Sequence, residues 1–579
     1  MKFVEEEGGS GFTMRAALIA IVLTLFLVAT SSYIALKLGA LPWPIIFSVI
    51  VSGAILKVLS NTNAHEINVA QAGGTIGGLL ASGVVFTIPG IIFLKNQGID
   101  INLPSFPVLT LICVTGGILG VLLSIPLRRT FVDEENLPYP SGAAGAEVLK
   151  AELEGGTHAF LVLFVGLIAG IFALLRDSSY FYGIPAAIPL SFLFSLGIFL
   201  YLYPMPLAVG VGYILGPKAS VNSWFLGSLV GWVLIIPLLI NIKSWEASSA
   251  ISLTQNLGMG IVLGSGIGFF VAYVVPRIKS IFAPLFKWGE APWYMRYTPL
   301  ISLIVMGILF VAGIPFLASI LSVLGVWIMA TVAARMTGET NIDPLEQFGI
   351  MVGLLCLGIY SILNLKLSYL PAFLVVCFVS VACALSGDIG QDYKTAKIIG
   401  TRPKDIVKVD LLCAIFAGIT APIVLEIILK GFSDVMFTQE MPAPQAQLVA
   451  GSIFGFAYPN AFLAGFLLAF IFEVLQKFTK KSLPFSAMAF GIGMFLGLAL
   501  SIPLALGGII RYFVDRNFKH LYYSGLLASA GLMGGEGIAG FTVSAFVVAG
   551  FDRFAISKIL ILIFVALFAL SYFFYKKKT

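Results

Sequence analysis

Glu536 lies in the middle of an apolar run over 522–550, inside the sequence Gly534-Gly-Glu-Gly-Ile-Ala-Gly540. A carboxylate set in a bilayer is costly unless protonated, paired or facing water, and such a group marks a functional site by default. Proton carriage is the chemistry that suits it. The structural alternative is a tight helix crossing in which a neighbour satisfies the carboxylate. Gly387-Asp-Ile-Gly-Gln-Asp-Tyr-Lys-Thr395 places Asp388, Asp392, Tyr393, Lys394 and Thr395 directly after an apolar span. It reads either as a solvated cytoplasmic loop or as a segment in which Lys394 meets a substrate carboxylate. Leu137-Pro-Tyr-Pro-Ser-Gly-Ala-Ala-Gly-Ala-Glu147 joins two prolines to a run of small residues around Tyr139, Ser141 and Gly142. That composition permits close backbone approach, as an interhelical packing face or as irregular backbone lining a path. Asn68 with Gln71, and Asp343 with Glu346, have the spacing of a capping box, with Pro344 at the first helical position. Helix starts facing a membrane cavity also offer partial positive charge to anionic groups, and Glu66, Asp343 and Glu346 are further candidate proton carriers.

Apolar helices must position these groups. The chain has 579 residues, 59% hydrophobic and 11% charged, with mean hydropathy +1.02. Soluble globular chains run about 45–50% apolar and about 25% charged, so a soluble enzyme, a disordered scaffold and a nucleic-acid binder are excluded. The apolar residues come in runs of about 20 rather than in alternating strands, which excludes an outer-membrane barrel. The fold class is an all-α polytopic membrane protein. Its five cysteines fall in apolar runs without a CxxC, as packing residues rather than disulfides or metal ligands. The three histidines share no helical spacing, so no zinc site is expected. Glu5, Glu6 and Glu7 precede an apolar run too long for a cleaved signal, which reads as the first transmembrane helix. Lys37, Lys57, Arg176, Glu426 and Glu473 fall near predicted helix ends, where long charged side chains snorkel to the interface.

Hydropathy predicts about 17 spans, from 14–36 to 555–575, including single spans over 186–215 and 484–514. Charged segments rich in Lys and Arg place the N-terminus on the cytoplasmic side. Lys576, Lys577 and Lys578 ask for the same side, which requires an even count: either 484–514 is two short helices or one span does not cross. Four sequence pairs recur in order. Leu207–Gly216 matches Met488–Gly497, Asn68/Gln71 matches Asp343/Glu346, Gly264–Ile267 matches Gly535–Ile538, and Tyr139–Gly142 falls opposite Tyr393–Ala396. The chain is therefore expected to be two parallel repeats of about eight helices. They would span 1–275 and 297–550, with a cytoplasmic junction over 276–296 and an extra helix and basic tail over 551–579.

The same residues resemble the oligopeptide transporter (OPT) superfamily, which includes the yellow-stripe-like metal-chelate carriers. Pro138-Tyr-Pro-Ser-Gly-Ala-Ala is similar to that family's YPSG-type motif. Asp388-Ile-Gly-Gln-Asp-Tyr-Lys-Thr-Ala resembles its D-x-x-Q-D-(F/Y)-K-T-G segment, and Gly534-Gly-Glu-Gly-Ile its G-D-G-I signature. The match runs in order over most of 14–550. Ala396 stands where Gly is common and Glu536 where Asp is usual; neither change abolishes the chemistry. The resemblance implies a proton-coupled importer of small peptides, or of metal complexed to peptide-like chelators.

The reading is thus a secondary transporter of the cytoplasmic membrane, driven by the proton gradient and needing no cofactor. Glu536 is the first candidate for coupling, with Glu66, Asp388 and Asp392 behind it. Asn68, Gln71, Asp343 and Glu346 are expected at the helix starts facing substrate. Tyr139, Ser141, Gly142, Tyr393, Lys394 and Thr395 are expected in the lining loops. The partners are protons, lipid and a small peptide or chelate, with a homodimer as an open assembly. A passive channel is the runner-up. An intramembrane enzyme has less support, because Asp388 lacks an in-span partner and no histidine lies in a suitable span.

Overall fold

The computed structural model describes residues 8–39, 41, 45–59, 62–154, 158–177, 187–274, 276, 297–341, 343–438, 440–479 and 484–550. The expected terminal helix over 551–579 lies outside them, as does the junction apart from residue 276. Twelve of the described helices are long and apolar enough to cross a membrane, and five shorter apolar helices accompany them. In hydrocarbon every backbone polar group must be satisfied within the protein, so long apolar runs become helices. A two-residue antiparallel pairing of 188–189 with 201–202 is the one named sheet among the described residues.

Helix Met14–Leu38 turns Leu18, Val22 and Leu25 outward, and helix Pro459–Thr479 turns Leu463, Leu467 and Ile471 outward. These stripes, at helical spacing, are what a bilayer solvates. The inward surfaces are built from smaller residues. Helix Ala64–Val85 carries the run Gly73-Gly-Thr-Ile-Gly-Gly78 and is buried along nearly its whole length, as expected where helices pack through small residues rather than through apolar bulk.

At the centre, Ala64–Val85 and Phe106–Arg128 from the first half pack against Tyr369–Ile399 and Pro403–Gly431 from the second. Each of the four leans on both central helices of the other half and hardly on the other central helix of its own half. A second reciprocal set surrounds the short helices Pro206–Leu215 and Ala487–Leu496. The first packs on Leu498–Asn517, and the second on Asn222–Leu229. Gly212 backs onto the carbonyl of Leu504, while its counterpart Gly493 backs onto that of Trp224. Similarly, Ala247–Val274 pairs with Pro459–Thr479, and Tyr522–Val548 with His158–Asp177. Such crossed pairing is the signature of a pseudo-two-fold interface.

Two of the four repeated sequence pairs sit on matching structure: Leu207–Gly216 with Met488–Gly497, and Gly264–Ile267 with Gly535–Ile538. Two do not. Asn68 and Gln71 lie inside a helix, whereas Asp343 precedes one. Tyr139 precedes a helix, whereas Tyr393 lies within one.

The predicted span 186–215 is helical only over Pro206–Leu215; the rest is a hairpin and a 3-10 turn. The predicted span 484–514 breaks into Ala487–Leu496 and Leu498–Asn517. Both ten-residue helices end on a glycine of positive φ, Gly216 at 74° and Gly497 at 77°. Only glycine adopts that backbone without penalty, so the breaks are written in the sequence. Ten residues rise about 15 Å, half of a hydrocarbon core of about 30 Å. Helices of this kind are tolerated where they line a cavity.

Candidate functional site

A cavity of about 500 Å³ opens between the two halves. The first half contributes Ile45 and Ile46, Leu79 and Phe86, and Ser141 and Ala144. The half-helix residues Val211, Ile214 and Leu215 complete that side. From the second half come Asn341, Asp343 to Glu346, Asp388, Gln445, and the opposite half-helix residues Met488 and Ile492. The wall is mostly apolar, with the carboxylates Asp343, Glu346 and Asp388 converging on it. Among the described residues no Lys, Arg or His lines it.

Gly387, Asp388's neighbour in sequence, lies against Asp343: a Cβ built on it would stand 2.6 Å from Asp343 Oδ2. Both Asp343 oxygens and Asp388 Oδ1 are buried without a hydrogen-bond partner. The expected capping role of Asp343 is not what forms: Pro344 takes the N-cap position without a side-chain cap bond, and the helix begins at Leu345. Asn68 and Gln71 do not cap either. Asn63 is the N-cap of their helix and its side chain accepts from Glu66 N. The capping box was misplaced because its spacing also occurs at i and i+3 on one helix face.

The segment Gly387–Thr395 is not a loop. It forms the last turns of a helix that runs from Tyr369 to Ile399, and Asp388 to Thr395 are buried. Protein partners replace the water that hydropathy assigned to these charges. Asp392 accepts from Gln71 Nε2 at 2.6 Å and from Thr75 Oγ1 at 3.1 Å. Lys394 donates to Asn136 Oδ1 at 2.9 Å and to the Leu137 carbonyl at 2.8 Å. Tyr393 lies 3.4 Å from Ser124 Oγ, under the Arg128 guanidinium.

The segment around Tyr139 docks directly on this helix. Gly142 N donates to Gln391 Oε1 at 2.7 Å, and Thr395 Oγ1 donates to the Gly142 carbonyl at 2.8 Å. Asn341 Oδ1 accepts from Ser141 N at 3.2 Å and from Gln391 Nε2 at 2.9 Å, closing the network. Tyr139 holds a φ of 41° and donates its hydroxyl to the Ala334 carbonyl at 2.8 Å. A left-handed backbone at a bulky residue costs about 1–3 kcal/mol and persists where surroundings over-determine it. Any Cβ at Gly142 would run into the Gln391 carbonyl. Gly142→Val is therefore expected to destabilise the protein by about 1–3 kcal/mol, with Gly142→Ala smaller in the same direction. Thermal unfolding in detergent checks this; an unchanged midpoint would show that the segment is not held against Gln391.

Glu536 and Glu66 lie elsewhere, each with a basic partner. Glu536 is fully buried and pairs with Arg176 Nη2 at 2.8 Å, itself fully buried. Its other oxygen accepts from Leu207 N at 2.8 Å, so it also caps the half-helix Pro206–Leu215. Arg176 donates to the Pro204 carbonyl at 2.9 Å and lies over the Tyr203 ring. Neither Arg176 nor Lys37 snorkels as expected: Lys37 is 2% exposed and donates to Tyr203 Oη at 2.8 Å. In the other repeat, Ser265 stands where Glu536 does and donates to Glu473 at 2.6 Å. Lys57 and Glu426 are exposed, as expected. Glu66 pairs with Arg15 and accepts from Thr13 at 2.8 Å.

Of the fourteen sequence candidates, then, Ser141, Asp343, Glu346 and Asp388 line the cavity. Tyr139, Gly142, Tyr393, Lys394 and Thr395 build the wall behind it. Gln71 and Asp392 are buried against each other away from it, and Asn68 is buried with its amide donating to Thr401 Oγ1. Sequence reasoning missed Asn341 and Gln445, neutral residues with no motif or spacing signal, passed over Gln391 although it stands in the D-x-x-Q-D segment, and assigned Arg176 to a helix end at the interface.

The sequence profile of the OPT oligopeptide transporter proteins matches residues 11–275 and 282–547. The chain belongs to the OPT oligopeptide transporter family. It is also 27% identical over 604 aligned positions to a Haemophilus influenzae protein provisionally named as an oligopeptide transporter, covering 89% of this chain and 92% of that one. As a member of this transporter family it is a multi-pass membrane protein, and its mostly apolar cavity between two halves is the kind of site such carriers use.

Proposed function

We propose that this OPT protein imports small peptides, or metal chelates of peptide-like character, across the cytoplasmic membrane in symport with protons. Its N-terminus would face the cytoplasm. The observation that carries the proposal is the set of cavity carboxylates, Asp343, Glu346 and Asp388, with no basic residue among the described residues of the lining. Carboxylates at membrane depth need neutralising, and an incoming solute can supply this with an ammonium group or a proton can. Asp343 and Asp388, adjacent across Gly387, take the proton; Glu346 receives the amino terminus of the peptide. The helix starts at Pro140 and Leu345 open on the same cavity and favour the peptide's carboxylate end. The apolar wall accepts side chains without reading them.

The test is substrate-dependent proton uptake into liposomes holding the purified protein, with a pH gradient imposed. Pools of di- to hexapeptides are offered with and without iron or nickel. Internal acidification that depends on a peptide pool, and that N-acetylated versions of the same peptides fail to elicit, supports the reading. Acidification only in the presence of metal assigns the chelate branch. Peptide uptake without proton movement overturns the coupling and favours a passive path.

A further inference from the structure

Helix Ala64–Val85 presents one continuous face from the cavity to the end of the molecule where the N-terminal segment lies. His65, Asn68, Gln71 and Thr75 stand three or four positions apart on it, and further along the same face gives Leu79 and Ser82 to the cavity. Hydrogen bonds tie this row to the second half. Asp392, one helical turn beyond the cavity acid Asp388, accepts from Gln71 Nε2 at 2.6 Å and from Thr75 Oγ1 at 3.1 Å. Asn68 Nδ2 donates to Thr401 Oγ1 at 2.9 Å, and Thr401 Oγ1 lies 3.2 Å from His65 Nδ1. Asn68, Gln71, Asp392 and Thr401 are buried, and the row reaches partial exposure at His65. Two steps in it are unbridged by protein, from Asp388 to Asp392 and from Gln71 to Asn68. Each joins residues three or four apart on one helix, with Cβ atoms about 5–6 Å apart, a span that one water bridges. Acceptors for such waters face these steps: Asp388 Oδ1, Gln71 Oε1 and Asn68 Oδ1 are buried without a hydrogen-bond partner.

Two hydroxyls along the row can reverse. Thr75 Oγ1 is 2.7 Å from the Ala72 carbonyl as well as 3.1 Å from Asp392 Oδ2. Its single hydrogen goes to Asp392 when that group is ionised, and to Ala72 when Asp392 is protonated and becomes the donor. Thr401 does the same for His65: its hydroxyl donates to the neutral ring and accepts from the protonated one, while accepting from Asn68 in both states. Both titratable groups therefore keep their partners with the proton on or off, which a purely structural contact does not require. The charges that bear on Asp392 are those of two further acids, Asp388 and Asp410. Its hydrogen-bond donors are neutral, so among the described residues no cation competes with a proton for it. Around His65 the charged groups have partners of their own: Glu66 pairs with Arg15, Arg402 Nε donates to the Gly8 carbonyl, and Asp405 accepts from Ser10 and Gly11.

We propose that this row is the proton's exit: Asp392 takes the proton from Asp388 and passes it, through waters held on Gln71 and Asn68, to His65 and the cytoplasm. The inference rests on the proton-coupled reading given above and adds to it the residues that release the proton. The O–H bond on Asp388 breaks as one forms on Asp392, and the His65 imidazolium finally gives the proton to solvent, so each group returns to its starting state.

The test is peptide-dependent proton flux, with exchange of preloaded peptide alongside it, in liposomes whose protein has its N-terminus inward. The peptide pools are those named above, and the interior is held at graded pH. Asp392→Asn should reduce the proton flux by more than about tenfold while exchange persists. Thr75→Val, which keeps the shape and loses the hydroxyl, should reduce it less. His65→Ala should alter the dependence on internal pH but not on external pH, and imidazole trapped inside the vesicles should restore it, which a structural role does not predict. Parent-like flux in both Asp392→Asn and Thr75→Val, or a loss in His65→Ala that imidazole does not restore, overturns the route. If the parent takes up peptide without moving protons, the coupling reading itself fails. Proton movement by the parent and by all three variants alike removes the route alone.

Discussion

Glu536→Gln is expected to lower the unfolding midpoint sharply and to reduce proton-driven accumulation and substrate exchange together. The substitution keeps an oxygen that can still accept from Leu207 N, so the half-helix Pro206–Leu215 keeps its cap. What it removes is the charge opposite Arg176, at a point where both side chains are fully out of solvent. A guanidinium does not shed its proton, and leaving one buried and unpaired costs about 3–5 kcal/mol. That is a large part of a typical stability of about 5–15 kcal/mol. Replacing both partners with apolar side chains, Arg176→Met with Glu536→Leu, should recover most of the lost stability, because no charge is then stranded. Thermal unfolding and paired accumulation and exchange assays in liposomes separate the possibilities. If Glu536→Gln folds normally, loses accumulation and retains exchange, Glu536 is the coupling group after all and the ion pair is part of the proton path. Equal loss of both activities assigns the pair to holding the half-helix, whose far end faces the cavity through Ile214 and Leu215.

This pair also marks the limit of what one sequence discloses. The apolar runs and the glycine breaks are local, so the helices, the half-helix repeat and the family motifs could be read directly. Partner identity is not local: Arg176 and Glu536 are 360 positions apart, and each by itself reads as a charge near a helix end or a lone carrier. The span ending at residue 387 was cut short for a related reason. Hydropathy scores Asp392 and Lys394 as wanting water, whereas Gln71, Thr75 and Asn136 satisfy them inside the protein and the helix continues to Ile399. The opposite error occurred over 186–215, where a hairpin of apolar residues scores like a crossing helix. The cavity itself joins residues from Gly39 to Leu526, and only Ser141, Asp343, Glu346 and Asp388 among its polar lining had motif or repeat signals to single them out.

Asp388→Asn is expected to abolish accumulation against a gradient while leaving exchange of preloaded substrate largely intact. The carboxylate faces the cavity, one of its oxygens has no partner, and the Asp343 carboxylate lies against the adjoining residue. An amide in its place fits the same space and keeps the wall polar but carries no titrating proton. Substrate entry and exit therefore survive, and the energetic link to the proton gradient does not. Asp343→Asn should behave alike, since one proton serves both acids. Glu346→Gln should instead raise the half-saturating peptide concentration, by about tenfold for the loss of one charge-assisted contact, and leave the pH response in place. Proton flux and peptide flux measured on the same vesicles distinguish these outcomes. If Asp388→Asn and Asp343→Asn still accumulate peptide with the parent's pH dependence, the cavity acids do not couple transport. Arg176–Glu536 would then be the buried acid-bearing pair to examine, and there a proton would have to displace an arginine. Leaving that guanidinium without its carboxylate costs several kcal/mol, a barrier that Asp343 and Asp388 do not face because no cation among the described residues lines their cavity.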